Sequence, residues 1–231
     1  MPARPARILV VAAHPDDELL GCGATVARRA AEGARVWSLI LGEGVTSRQG
    51  LSAARKKAEL KKLRSDAQRA NKIAGVEKLI LRDFPDNQFD SMPRLKLVQA
   101  VEAVVAQFKP DTVYTHSGGD LNIDHQLALE AVKTACRPLP GSSVRSVLSF
   151  EIPSATEWRF DAAAGFSPNA FVDVSNFLER KIAALSAYGG EMRSFPHPRS
   201  EKYIRALAYV RGGQSGLAAA EAFSVVRTVE A

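Results

Sequence analysis

Three of the four histidines in this 231-residue chain fall in two clusters rich in carboxylates. The first is His14-Pro15-Asp16-Asp17-Glu18, one imidazole followed by three acids. The second runs Thr115-His116-Ser117-Gly118-Gly119-Asp120-Leu121-Asn122-Ile123-Asp124-His125. Carboxylates packed this tightly repel one another and resist desolvation unless a proton or a cation compensates them. A divalent metal is the simplest compensation. Pro15 restricts His14 to an extended backbone and starts a turn, so Asp17 can return to the same point in space. One imidazole and one carboxylate from the first cluster plus one imidazole from the second make three protein ligands, and zinc sites of that kind leave a fourth position for water. A carboxylate near the last histidine suits a ligand that donates its other N–H. Asp16 or Asp17 could instead merely cap the helix that follows, but capping leaves His14 unexplained.

The elements around the clusters put both at strand ends. Ile8 to Ala13 is a continuous apolar run, the pattern of a strand buried on both faces. Glu18 to Glu32 has helix-forming composition and is closed by Gly33. Arg35 to Leu41 is a second strand, followed by the glycine-punctuated loop 42–50. Residues 51–75 read as a helix ending near Gly75, Lys78 to Leu81 as a short strand, and Asp83 to Asp90 as a polar loop. Arg94 to Phe108 carries apolar residues at spacings of three and four and stops before Pro110. Thr112 to His116 is a strand, and a helix runs from about His125 to Cys136. Later candidates are strands at 144–152, 171–174 and 222–227 and a helix at 176–188. This alternation predicts an α/β fold, a Rossmann-like three-layer sandwich with a mostly parallel sheet and a less regular C-terminal part. Ligands in such sheets sit at the carboxyl ends of strands, which selects the loops 13–18, 42–50 and 116–125. Other catalytic signatures are missing: Ala13 to Ala24 reads AHPDDELLGCGA rather than a dinucleotide fingerprint, and there is no Gly-rich nucleotide loop and no G-x-S-x-G.

With the apolar strand leading into Ala13-His14-Pro15-Asp16-Asp17-Glu18, and Asn122-Ile123-Asp124-His125 far downstream, the chain resembles the LmbE/PIG-L family of zinc-dependent de-N-acetylases over at least residues 7 to 136. The resemblance implies one domain over 1–231, with a Rossmann-like core at 1–150 and an extension at 151–231 that completes the site or an oligomer interface. It implies removal of acetyl groups from N-acetylated amino sugars. It makes His14, Asp17 and His125 the metal ligands for Zn²⁺ or Fe²⁺, Asp16 the general base, and Asp124 the carboxylate before the last ligand. Many members have a histidine where Asn122 stands. Asparagine can donate to an oxyanion but cannot deliver a proton, which leaves His116, His197 or protonated Asp16 as the acid. Phe84-Pro85-Asp86-Asn87, the stretch Pro153 to Trp158, Pro196-His197-Pro198-Arg199-Ser200 and Ala220 to Phe223 resemble a branch linked to bacterial carbohydrate or surface-polysaccharide metabolism, whose acetamido sugars include nucleotide-linked ones.

Substrate contacts are expected at Arg48, placed to meet a phosphate or carboxylate, at Asp86, Asn87 and Asp120 for sugar hydroxyls, at Trp158 for stacking, and at His197 and Arg199 on a proline-flanked loop. Each has a plainer alternative in a solvated loop, a turn or core packing. Competing functions are an amidase acting on a non-sugar N-acyl compound and a nucleic-acid-binding protein.

Composition narrows the rest. Apolar residues make up 46% and charged residues 24%, an ordinary globular balance. No apolar run approaches the ~18 residues a membrane span needs. Arg4 and Arg7 precede no long apolar leader segment, and Cys22 and Cys136 make no disulfide framework. The expected setting is cytoplasmic, with a small-molecule substrate, no membrane span and a homo-oligomeric assembly. The net charge of +6 resides wholly in 51–75, which holds eight basic residues and two acids. Without aromatics interleaved there, a solvated helix face explains it better than a nucleic-acid site. Periodicity turns Ala54, Ala58, Leu63, Ala67, Ala70 and Ala74 inward.

Overall fold

The apolar run near the start of the chain forms β1 (Arg7–Ala12), and its neighbours explain why every position after Arg7 is apolar. In this computed structural model Ile8 and Val10 point into one core with Leu19, Val26, Leu63 and Ile182, while Leu9 and Val11 enter a second core with Leu97, Val101 and Val132. A strand covered on both faces has no solvent side to alternate with. The structure describes residues 5–47, 50, 52–160 and 165–230.

Seven strands form one sheet in the order β3-β2-β1-β4-β5-β7-β6. They are β1, β2 (Arg35–Gly42), β3 (Lys78–Phe84), β4 (Thr112–His116), β5 (Ser146–Phe150), β6 (Ala170–Asp173) and β7 (Ala220–Thr228). The first five in that spatial order pair parallel. β7 runs antiparallel to β5 and to β6. Helices α1 (Asp17–Ala31), α2 (Ala53–Ala74) and α5 (Leu178–Ser186) supply residues to one core, and α3 (Arg94–Phe108) and α4 (Ile123–Ala135) to the other. This is the expected three-layer α/β architecture. The winding reverses between β1 and β4, and their carboxyl ends open the crevice where such folds bind ligands.

Differences from the sequence reading have local causes. Helix α6 (Glu201–Ser215) was not anticipated: its buried stripe is only Ile204, Ala208 and Gly212, and Gly212-Gly213 argues against a helix. Gly212 is required there, because a Cβ would come within 2.6 Å of the Leu217 carbonyl oxygen. Helix α4 begins two residues before His125, since Asn122 caps it by accepting from the Asp124 N–H at 2.9 Å. β3 extends through Asp83 and Phe84, expected as loop. Ala54 and Ala58 are exposed rather than inward, whereas Asp66 and Asn71 are buried. Lys62 and Arg69 both pair with Asp66 at 2.6 Å. Both cysteines are free and buried.

Helix α1 is broken at Cys22, whose φ of −147° is not helical. The break leaves backbone groups without helical partners, and a buried ion pair takes them. Lys181 donates to the Leu20 carbonyl at 2.7 Å and to Glu221 at 2.6 Å. Glu221 accepts from the N–H groups of Ala24 at 3.1 Å and Thr25 at 2.6 Å. The pair therefore ties α1 to α5 and β7. Replacing Glu221 with Leu is expected to cost about 3–5 kcal/mol, because it strands a buried cation. Adding Lys181→Met should recover only part, since the Ala24 and Thr25 N–H groups stay orphaned. Urea unfolding of the single and double variants checks this; full recovery would show that the pair does not serve the helix break.

Candidate active site

The loops after β1 and β4 meet at the crevice. Asp17 begins α1 and His125 lies in the first turn of α4, so two helix N-termini carry ligand-type side chains toward one point. Asp17 Oδ2 is 3.3 Å from His14 Nδ1, 3.2 Å from His125 Nε2 and 3.7 Å from His116 Nε2. The donor atoms offered by His14, Asp17 and His125 all lie within 4.8 Å of one another. The opposite nitrogens of the two histidines face further carboxylates. His14 Nε2 is 3.0 Å from Asp124 Oδ2 and 3.2 Å from Asp86 Oδ1, and His125 Nδ1 is 3.1 Å from Asp120 Oδ2. Imidazoles oriented by carboxylates in this way are typical of metal ligands.

The electrostatics call for a cation. Burial works against protonation of His14, but Asp124 and Asp17 outweigh it and raise the group to about 10. At His125 burial is likewise overcome, chiefly by Asp17 and Asp120, giving about 9. Burial also opposes ionisation of Asp17, yet His125 and His14 hold it well below the usual carboxylate range. Asp17 Oδ1 is buried with no hydrogen-bond partner. Two imidazole nitrogens and a carboxylate with an unused oxygen suit Zn²⁺ or Fe²⁺, so the residues present fit such an ion.

Asp16 sits beside this group with φ 97°, in the left-handed region. Its side chain makes no capping bond to α1. Instead Asp16 Oδ2 accepts from Arg199 Nη1 at 2.8 Å. Burial pushes the Asp16 carboxyl well above its usual range, against the pull of the Arg199 guanidinium. The Asp16 N–H donates to Glu18 Oε2 at 3.1 Å. Glu18 Oε1 accepts from Tyr188 at 2.5 Å and from Asn71 at 2.8 Å. Burial raises Glu18 to about 7, opposed by those two donors. Four non-glycine residues have positive φ among the described residues, and three of them, Asp16, Asn87 and Ser154, line the cavity. Such strain, about 1–3 kcal/mol each, concentrates where function fixes geometry.

The cavity has a volume of about 610 Å³, with His14, Asp16 and His125 in its wall. Asp86, Asn87, Asn122, Trp158 and Arg199 also line it. Several expected site residues lie elsewhere. His116 is fully buried and does not line the cavity; its Nε2 accepts from the Ala13 N–H at 2.8 Å, and its ring stacks on His125 at 4.0 Å. Burial and the neighbouring His125 hold its pKa well below the ordinary value. Asp120, expected at the substrate, is buried behind His125 and accepts from Thr156 Oγ1 at 2.7 Å. Asp124 is likewise buried, between His14 and the Phe89 N–H. His197 stands edge-on to Trp158 at 5.9 Å and accepts from the Arg199 N–H at 3.0 Å, outside the cavity wall. Asn122 is on the wall, but its Oδ1 caps α4 and its Nδ2 donates to Asn87 Oδ1 at 3.0 Å. Arg48 lies outside the described residues. Asn71, Tyr188 and Glu191 had no signal in the sequence: none belongs to a motif, and Tyr188 meets Glu18 across 170 positions; Ser154 falls within the quoted stretch Pro153 to Trp158, without a role assigned to it.

The chain is similar to several known proteins. A family model described as PIG-L, GlcNAc-PI de-N-acetylase, matches residues 9–136. The uncharacterized deacetylase YaiS of Escherichia coli is 28% identical over 187 residues, covering 78% of this chain and 89% of that protein. The diacetylchitobiose deacetylase of Thermococcus kodakarensis is 26% identical over 232 residues, covering 95% and 83%. Among solved structures, the N,N'-diacetylchitobiose deacetylase of Pyrococcus horikoshii superposes with a TM-score of 0.75 at 19% identity, covering 96% of this chain and 84% of the other, which speaks to the fold. The match across more than half of the chain, over the segment that carries His14, Asp17 and His125, makes this protein a member of the PIG-L/LmbE deacetylase family.

Proposed function

We propose that the protein is a metal-dependent N-deacetylase that hydrolyses the acetamide of an N-acetylated amino sugar, releasing acetate and the free amine. The observation that carries this reading is the convergence of His14, Asp17 and His125 beside Asp16 at the wall of the cavity. Deacetylase relatives that align over most of their length support the reaction class.

His14, Asp17 and His125 would hold a divalent ion, which would supply Lewis acidity for polarising a water and the acetamide carbonyl. Asp16 takes the proton of the attacking water as its oxygen adds to the carbonyl carbon. When the C–N bond breaks, Asp16 returns that proton to the departing nitrogen. Giving both transfers to Asp16 is supported by its place on the cavity wall beside His14 and His125 and by the engaged positions of His116 and His197. Asn122 has one amide hydrogen committed to Asn87, and the other is available for the developing oxyanion. Trp158 is suited to stack on a sugar face and Asp86 and Asn87 to take hydroxyls.

Acetate release over a panel of free and nucleotide-linked acetamido sugars and N-acyl amino acids separates the sugar reading from a general amidase. Activity is expected on free N-acetyl sugars, lost on chelation and restored by Zn²⁺ or Fe²⁺; a zinc-loaded protein inactive on every sugar would refute the reading. Asp16→Asn should retain bound metal while kcat falls by about 10²–10⁴. His125→Ala should lose metal as well, measured by elemental analysis after dialysis. Near wild-type turnover by Asp16→Asn would remove Asp16 as the base.

A further inference from the structure

We infer that Arg199 is a positioning residue for Asp16, holding the base in its reactive orientation, and is not an anchor for substrate. The inference rests on the hydrolase reading above, and it concerns a residue outside the segment matched by the family model. The Arg199 guanidinium is engaged on two edges: Nη1 donates to Asp16 Oδ2 at 2.8 Å, and Nε donates to Ser154 Oγ at 2.8 Å. Glu191 Oε2 lies 3.7 Å from the same Nη1.

The backbone on both sides is built around this contact. Ser154 has φ 75°, in the left-handed region, and its N–H donates to Glu157 at 2.7 Å. The Arg199 N–H is held by His197, and the next residue, Ser200, caps α6 by accepting from the Tyr203 N–H at 3.2 Å. Arg199 thus hangs from the start of a helix with its reach fixed. Asp16 needs such a partner. Its side chain makes no capping bond to the helix it precedes. Without the guanidinium its carboxylate is free to rotate away from the attacking water. The planar fork is essential, because an ammonium at this position cannot bond Ser154 and Asp16 in one fixed geometry.

The two roles for Arg199 differ in kinetics. A substrate anchor affects KM, whereas a positioning residue affects kcat, since a displacement of the base of about 1 Å can cost about 10²-fold in rate. The test uses zinc-loaded full-length protein, the acetamido sugar that the wild type turns over fastest, and three variants. For Arg199→Ala the expected result is kcat lower by about 10²-fold with KM within about threefold and zinc content unchanged. Added guanidinium ion at millimolar levels should restore part of that loss. Arg199→Lys should recover less than about a tenth of wild-type kcat, and Ser154→Ala should lower kcat by about three- to tenfold. A crystal structure of Arg199→Ala should show the Asp16 carboxylate turned or disordered with His14, Asp17 and His125 in place. A rise in KM of about tenfold or more at unchanged kcat would overturn the inference; so would wild-type kcat in Arg199→Lys, or an unmoved Asp16 in the variant crystal. A wild type inactive on every sugar refutes the hydrolase reading instead, so the two failures are distinguishable.

Discussion

The site is organised around one buried carboxylate. Asp17 sits in the first turn of α1 with no exposed surface, and three imidazoles face its Oδ2 at 3.2–3.7 Å. An ionised group removed from water in this way must be compensated nearby. Two of the imidazoles are themselves backed by buried carboxylates, so negative charge accumulates through two layers of residues. Protons on His14 and His125 offset part of it, and a divalent ion offsets it more completely. In the proposed function this unbalanced charge is what makes the pocket a metal centre.

The fold exists in a form that can hold such a group because the sheet is sealed on both faces. Strands β1 and β4 lie side by side at the winding reversal, and the loop after β1 and the end of β4 bring His14 and His116 to the Asp17 carboxylate. The C-terminal part then does more than extend the sheet. Residues after 150 provide Ser154, Trp158, Glu191 and Arg199 to the cavity, and Tyr188 to the network behind Asp16. The same region supplies Lys181 and Glu221, which stabilise the broken turn of the helix that carries Asp17. Site and fold therefore share the same C-terminal supports.

How much of this was legible in the sequence follows from the range of each interaction. The placement of His14 and Asp17 was readable because a proline turn after an apolar strand brings residues three apart together. The strand at 112–116 and the helix at 94–108 were readable from local pattern and emerge with those bounds. The roles within the second cluster were not separable. Asp120 and Asp124 are alike in sequence, and only the fold shows that one backs His125 and the other backs His14. His116 looked available, but its register in β4 turns its ring into the core beneath His125. The contacts Arg199–Asp16 and Tyr188–Glu18 span 183 and 170 positions, and no spacing rule reaches that far. Helix α6 escaped because its buried face is small residues, which leave little hydrophobic period to detect.

The claim on which the rest depends is that His14, Asp17 and His125 hold one divalent ion. X-ray absorption spectroscopy of the stoichiometrically zinc-loaded protein tests it without reference to any substrate. The account predicts an ion bound only by nitrogen and oxygen, with scattering from two imidazoles, falling to one in His125→Ala protein reloaded with zinc. Sulfur in the coordination shell, or an imidazole count that His125→Ala leaves unchanged, would contradict it.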